Sequence, residues 1–510
     1  MADASLPRSA AGDRNPWLIA VVVSLATFME VLDTTIANVS LRHIAGSLGA
    51  SQDESTWILT SYLISNAIVL PISGWLSQLI GRKRFYMICV GLFTISSFLC
   101  AFAPNLGLMI LFRVFQGLGG GGLAPTEQSI FADSFTPAKR SVAFALYGVT
   151  VVVAPAIGPL LGGWLTDDYS WHWIFLINLP VGLLALTLIW FLVDEPKAVV
   201  EDTRKFRANF IPDWLGFLLV AMTFGSLQIV LDRFQQDDGF ASLRVTLFFA
   251  TTIFSAVALV WWELRHPQPV FDVRLFGYRS FAIACLLMFL LGFTLFSTTQ
   301  LLPQFAQTLL NYSALQAGEA LAWGGAVAVL VMPIAGVIGR KIPAKWILMA
   351  AFVATGLAFL HTAHLDLQIQ FSDLSMARVY QSAALPFLFV TLTTAGYVGI
   401  PPEKNSEASA IINLMRNLGG SVGVSIATTA LAWRTQFHHV RLADHVSRFD
   451  VGPGSFADVG LAAAQSQVQT QAQALSYFDV FWLFGIAAIA VVPLALLLKK
   501  PPKGAPAGGH

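Results

Sequence analysis

Residues 17–39 read WLIAVVVSLATFMEVLDTTIANV, an apolar run with two carboxylates, Glu30 and Asp33, set inside it. A bilayer core takes about 20 apolar residues in a helix, so the run is long enough to cross one. A charge at mid-bilayer costs about 2.5–3.5 kcal/mol on insertion scales. A membrane helix keeps such a residue where it has a partner, faces a cavity or has a task. The three-residue spacing puts Glu30 and Asp33 on one helix face with Thr34 and Ala37. Met1–Asn15 is polar with two arginines, and no small-residue cleavage site follows the apolar run. The segment reads as a first spanning helix and not as a signal peptide.

The rest of the chain repeats the pattern. Of 510 residues, 56% are hydrophobic and 12% charged, about half the charge of a soluble protein. Lipid is therefore the solvent of most of the surface. Apolar segments begin near Trp17, Thr56, Phe85, Leu106, Ser141, Trp171, Trp214, Leu247, Phe281, Ala317, Trp346, Arg378, Ser406 and Phe478. With the N-terminus inside, about 21 cations fall in inside loops and about 7 outside, as the positive-inside rule requires. Both termini are then expected inside, with an even number of helices. Asp194 to Asp213 reads as a charged inside loop. Arg434 to Ser476 reads as a long outside loop whose second part, Leu461 to Leu475, is helical. Cys89, Cys100 and Cys285 lie in apolar runs without CxxC spacing, so they indicate neither disulfides nor a thiolate metal site. No strong internal repeat is visible. A faint echo links Pro71-Ile-Ser-Gly74 and Gly81-Arg82-Lys83 with Pro333-Ile-Ala-Gly336 and Gly339-Arg340-Lys341.

Three motifs carry a family resemblance. Leu32-Asp33-Thr34-Thr35-Ile36-Ala37-Asn38-Val39 matches L-D-x-T-[IV]-x-N-V, and Arg113-Val114-Phe115-Gln116-Gly117 matches R-[VI]-x-Q-G. Ala154 to Gly163 holds the antiporter motif, with Pro155, Gly158, Pro159, Gly162 and Gly163. The chain resembles the fourteen-helix drug:proton antiporters of the major facilitator superfamily, in particular EmrB-like multidrug exporters. The resemblance implies an all-α membrane fold of two six-helix bundles plus two extra helices. It divides the chain into 1–195, 196–270, 271–500 (with an outside loop at 434–476) and a cytoplasmic tail, 501–510. It also implies proton-driven export of hydrophobic compounds by alternating access from a bacterial inner membrane, with no cofactor. An EmrA-like periplasmic adaptor and a TolC-like outer-membrane channel would be partners. The cytoplasmic loop motif departs from the family. Gly74, Gly81, Arg82 and Lys83 are present, but Gln78 stands at its acidic position and Leu79 at its first arginine. The charge lock of other members is therefore open to question here. Arg42 stands where the first-helix motif usually ends in proline.

Counting rise along the helices, about 1.5 Å per residue, places Asp33 and Arg113 at similar depth. An ion pair broken by protonation of the carboxylate is a natural coupling element, and a permanent structural pair is the plainer reading. Glu30 is a second candidate for protonation, or a contact for cationic substrates. Glu127 reads as a gate contact or a solvated helix end, and Glu319 as a helix cap. Arg416, beside Asn413, falls near the midplane and suits anionic substrates or an acid from the first half. Asn38, Gln116, Gln300 and Trp323 complete the substrate-contact candidates. Phe293, Phe296 and Tyr397 read as cavity lining or plain packing. Gly119 to Gly122 lacks the Lys-Ser/Thr of a phosphate loop and serves close helix packing. His438, His439 and His445 read as solvated, with no metal site expected. No nucleophile elbow or cofactor fingerprint supports an enzyme. The alternative to multidrug efflux is specific export of an endogenous amphipathic compound, such as a fatty acid or siderophore.

Overall fold

The computed structural model describes residues 15–195, 197–444 and 456–498. Arg8, Arg14, His445 and the Lys499-Lys500-Lys503 tail lie outside the described residues. The first helix, α1 (Pro16–Leu48), opens where the Asn15 side chain accepts from the Trp17 amide at 3.0 Å. Pro16 stands at the first helical position, where its missing N–H costs nothing. Gly49, at φ 64°, closes the helix. There follow α2 (Trp57–Ile80), α3 (Arg82–Ala101), α4 (Leu106–Ser134, with a turn at Gly121 and Gly122), α5 (Pro137–Asp168), α6 (Trp173–Leu192) and α7 (Trp214–Arg233). The remainder are α8 (Leu243–Glu263), α9 (Arg279–Leu309), α10 (Ala314–Lys341), α11 (Ala344–Thr362), α12 (Phe371–Gly396), α13 (Asn405–Ala443) and α14 (Phe456–Ala490). Among the described residues eleven helices are long and apolar enough to cross a membrane, and α5 makes twelve when its two parts, bent by 42°, are taken as one span. The other two, α12 and α13, are long enough but carry more polar residues. The long helices follow the order of the segments read from the sequence.

The two expected loops turn out to be largely helical. Lys197–Ala208 forms a short helix between α6 and α7. Its Arg207 donates to the Leu79 and Ile80 carbonyls at 2.6 and 2.7 Å, which satisfies acceptors left open at the end of α2. The segment expected outside shrinks because α13 runs on to Ala443 and α14 already starts at Phe456, with Leu461 to Leu475 helical as expected. The sequence from Ala430 to Ala443 has no glycine or proline to stop a helix. Asp479 ties the two extensions together, accepting from Arg434 and meeting His438, each at 2.6 Å. Thr435 donates to Ser476 at 3.0 Å alongside.

Within the first six helices α1 packs on α5, and α4 on α2 and α3; within the last six α9 packs on α13, and α12 on α10 and α11. Across the two sets α5 meets α10 and α2 meets α13. The polar bonds between the sets gather toward one end, the end that also carries Arg82, Lys83, Arg340 and Lys341. There Ser129 meets Ser406 at 2.9 Å, Ser409 donates to the Pro125 carbonyl at 2.6 Å, and Ser141 donates to the Gly336 carbonyl at 3.0 Å. Asn405 donates to Asp133 at 2.9 Å, and Asp133 pairs with Arg82. A side chain at Gly74 would come within 3 Å of the backbone of Ser406 and Glu407. This end of the molecule is shut.

Gly74→Val is therefore expected to prise α2 from α13. The native cysteines are buried, so a Ser409→Cys reporter can be followed with a membrane-impermeant maleimide. Labelling should rise several-fold in the Gly74→Val background; unchanged protection would show that this contact does not close the end.

Candidate functional site

Arg113 is fully enclosed, and so is Asp33, at 2% exposure. The guanidinium Nη1 donates to Asp33 Oδ2 at 2.7 Å and to Gln116 Oε1 at 2.7 Å, and Nε donates to the Ile58 carbonyl at 3.1 Å. Its plane lies over the Tyr62 ring, 4.5 Å from the centroid, a favourable position for a cation. Asp33 Oδ1 accepts from Gln116 Nε2 at 3.0 Å and Asn178 Nδ2 at 2.7 Å. Asn178 also donates to Ser97 at 2.9 Å. Burying two charges is tolerable when they are paired and hydrogen-bonded, and here both carboxylate oxygens, Nη1 and Nε have partners. The expected Asp33–Arg113 juxtaposition is present, and Gln116 sits in it as a bridge and not as an open substrate contact. Sequence reasoning missed Asn178. Its signal was a lone amide in the apolar run from Trp173 to Leu192.

One turn from Asp33, Glu30 is half-buried. It accepts from the Tyr62 hydroxyl at 2.9 Å and from Asn66 at 3.4 Å. Gly120 stands opposite, so close that a Cβ there would lie 3.3 Å from Glu30 Cγ. The Gly119–Gly122 run thus packs α4 between α2 and α3, as expected. Glu127 overturns the solvated-end reading: it is fully buried, Ser24 donates to its Oε1 at 2.5 Å, and among the described residues its Oε2 has no hydrogen-bond partner. Arg416, also buried, donates from Nη1 to the Tyr147 hydroxyl at 2.7 Å. Tyr147 donates in turn to Asn413 at 2.9 Å, so α5 and α13 meet through this triad. The charge of Arg416 acts on both Glu30 and Glu127. Three charged residues from three helices therefore share one central region.

The remaining candidates separate from it. Asn38, Gln300 and Trp323 are exposed. Glu319 is exposed too and caps nothing, because Ser313 and Gln316 form the capping box of α10. Phe293 packs edge-on to Phe484, and Tyr397 stacks on Phe144. Of the antiporter motif, Gly158 and Gly162 let α5 approach α1 at Thr35 and Ile36, Gly163 faces open space, and Pro155 and Pro159 lie inside the bent helix. In the loop motif, Gly81 has φ 95° and Lys83 donates its amide to Glu195 at 2.8 Å. Gln78 fills the acidic position by donating to Glu407 at 2.9 Å. The acid is thus supplied by α13. Lys404 approaches Glu407 at 3.6 Å and pairs with Asp272.

Bundled membrane-crossing helices in two packed sets, with buried charges where the sets meet, define a secondary transporter. The chain belongs to the major facilitator superfamily, whose family profile matches residues 23–424. It is 35% identical to the multidrug export protein EmrB of Escherichia coli strain K12, over 96% of this chain and 97% of that one. It is 34% identical to EmrB of Haemophilus influenzae, over 96% of both chains. It is 32% identical to the fatty acid resistance protein FarB of Neisseria gonorrhoeae, over 96% and 97%. The crystal structure of the human organic anion transporter MFSD10 shares the fold, with TM-score 0.57 at 15% identity over 93% of this chain and all of that one. The chain is thus an EmrB-family efflux transporter, a multi-pass membrane protein and not an enzyme.

Arg113→Leu is expected to leave Asp33 without its counter-charge and to cost about 3–5 kcal/mol of stability. The measurement is the thermal midpoint of the purified protein in detergent. The double variant Asp33→Asn with Arg113→Leu should lose much less than the sum of the single losses. Additive losses would show that the pair is not a unit.

Proposed function

We propose that the chain exports hydrophobic drugs by proton antiport, with Asp33 as the proton-coupling carboxylate. The observation that carries this is the enclosure of Arg113 against Asp33. A proton placed on Asp33 removes the one full negative charge bonded to that guanidinium among the described residues. Arg113 must then find another partner, and α1, α2 and α4 repack around it. Residues 1–195 and 271–500 are taken as the two moving bundles, with 196–270 carrying the added pair α7 and α8. Protonation drives release to the outside; loss of the proton inward resets the pair. One charge moved across 100 mV is worth about 2.3 kcal/mol, roughly a fifty-fold gradient per proton. Glu30, Glu127, Asn413 and Arg416 are assigned to the substrate region, where Glu30 can hold a cationic group or a second proton.

The cation excess at the shut end supports a cytoplasmic assignment for that end and for both termini, in a bacterial inner membrane. The helical extensions at Arg434–Ala443 and after Phe456 then point outward. They are proposed as the docking element for a periplasmic adaptor of the EmrA kind, and through it a TolC-like channel. A second reading, export of a fatty acid or similar amphipathic anion, is favoured by Arg416 in the central region and by the FarB relative.

In everted vesicles with a pH-sensitive dye, adding a hydrophobic drug should trigger proton movement in the parent and none in Asp33→Asn. Drug-triggered movement that persists in Asp33→Asn would remove Asp33 from coupling. Silence with every drug but a response to a long-chain fatty acid would select the second reading. Deleting residues 461–475 should abolish co-purification of the adaptor, and unchanged recovery would move the docking site elsewhere.

A further inference from the structure

The last six helices hold a second copy of the Arg113 arrangement with its acid missing. Arg378-Val379-Tyr380-Gln381-Ser382 repeats Arg113-Val114-Phe115-Gln116-Gly117, and each arginine stands seven residues past the first residue of its helix, Leu106 in α4 and Phe371 in α12. The surroundings repeat as well. Gln116 meets Cys100 near the end of α3, and Gln381 donates to Thr362 at the end of α11 at 2.9 Å. Arg378 meets Thr299, and Phe296-Ser297-Thr298-Thr299 in α9 echoes Leu32-Asp33-Thr34-Thr35 in α1. By contact the place of the Asp33 carboxylate falls to Thr299, whose hydroxyl donates to the Leu295 carbonyl at 2.8 Å, while Ser297 lies against Gly423 of α13.

The consequence is a guanidinium buried to 2% exposure with no carboxylate paired to it among the described residues. Among those residues its side-chain bond is Nη2 to Thr299 at a long 3.4 Å, and its Nε has no partner. Beside it Gln381 Oε1 and Ser382 Oγ are buried and, among the described residues, unpartnered too. Arginine cannot discharge itself by losing a proton, so a buried one needs a counter-charge from somewhere. Asp33 supplies it in the first copy; the second copy has kept the cation and given up the anion.

We infer that Arg378, with Ser382, forms a binding site for a small monovalent anion, either chloride or a carboxylate group. The anion occupies the place that the Asp33 carboxylate takes beside Arg113. The Ser382 hydroxyl and the free Nε of Arg378 can donate to it, and the guanidinium supplies the charge. This site is separate from the proton-coupling reading at Asp33 and stands whether or not that reading holds.

The test is the thermal midpoint of the purified full-length protein, by tryptophan fluorescence, in chloride or acetate with isethionate as the bulky replacement at constant ionic strength. Chloride or acetate should raise the midpoint by about 2–5 °C and saturate. A rise with chloride alone assigns an inorganic ion; a larger rise with acetate assigns a carboxylate. Thr299→Asp puts an acid where the guanidinium reaches α9 and should abolish the response while giving a midpoint at least as high as the parent in isethionate. Arg378→Met should abolish it by removing the cation, and Thr299→Asp decides alone if that variant does not fold. No saturable response in the parent, or one that survives in Thr299→Asp, overturns the inference.

Discussion

A guanidinium stays charged at any pH a cell meets, so Arg113, enclosed among α1, α2, α4 and α6, has to be answered by fixed groups. Each neighbouring helix sends one. α1 provides the carboxylate of Asp33, α2 the Ile58 carbonyl and the face of Tyr62, and α4 the Gln116 amide. From α6 comes Asn178, which holds the far oxygen of the carboxylate. The mutual register of these helices is therefore set by one charge. Gly158 and Gly162 extend the constraint to α5, because α1 can sit where Asp33 needs it only if α5 lies against its backbone.

Much of this was readable in the sequence because membranes make polar residues conspicuous. A carboxylate, an arginine and an amide inside apolar runs stand out, and helix rise alone put Asp33 and Arg113 at one depth. Of the two readings of Glu127, the solvated helix end falls for a related reason. Distance along a helix gives depth but not what packs beside it, and here Ser24 from α1 and the start of α13 cover that end of α4. In the segment from Arg434 to Ser476 the second part, Leu461 to Leu475, is helical as read, while the first was taken as loop for its polarity although α13 runs on to Ala443. The Tyr147–Asn413–Arg416 triad lay beyond reach, since nothing in either segment names its partner across the interface.

The closure between the two sets of helices shows how a motif can change and keep its role. With glutamine at position 78, α2 has no acid to offer, and α13 supplies Glu407 instead. A neutral amide donor facing a carboxylate still closes the gap. Its strength no longer depends on a charge on α2, and the positive side of the contact passes to Lys404 on the α13 side. Arg82 keeps its own partner in Asp133, and Asp133 reaches Asn405. Two acids on opposite sides of the interface, Asp133 and Glu407, thus each take a bond from the other set.

The added pair α7 and α8 is bound into the same arrangement. Asp232 and Arg233, at one end of α7, engage Thr60 and Thr56 at the start of α2. Midway, Gln228 accepts from Ser421 of α13 at 3.1 Å. At the other end, Asp272, in the segment joining α8 to α9, holds Lys404, which in turn approaches Glu407. The pair therefore touches both sets of helices. It is anchored to the first at the end away from the closure and to the last at the shut end. A rocking motion that opens the Gln78–Glu407 contact moves α13 relative to α2, and α7 cannot keep both its Thr56 and Ser421 bonds while that happens. The bond to Ser421 is a single neutral one, whereas the α2 end combines an arginine stacked on Trp57 with two hydroxyl contacts.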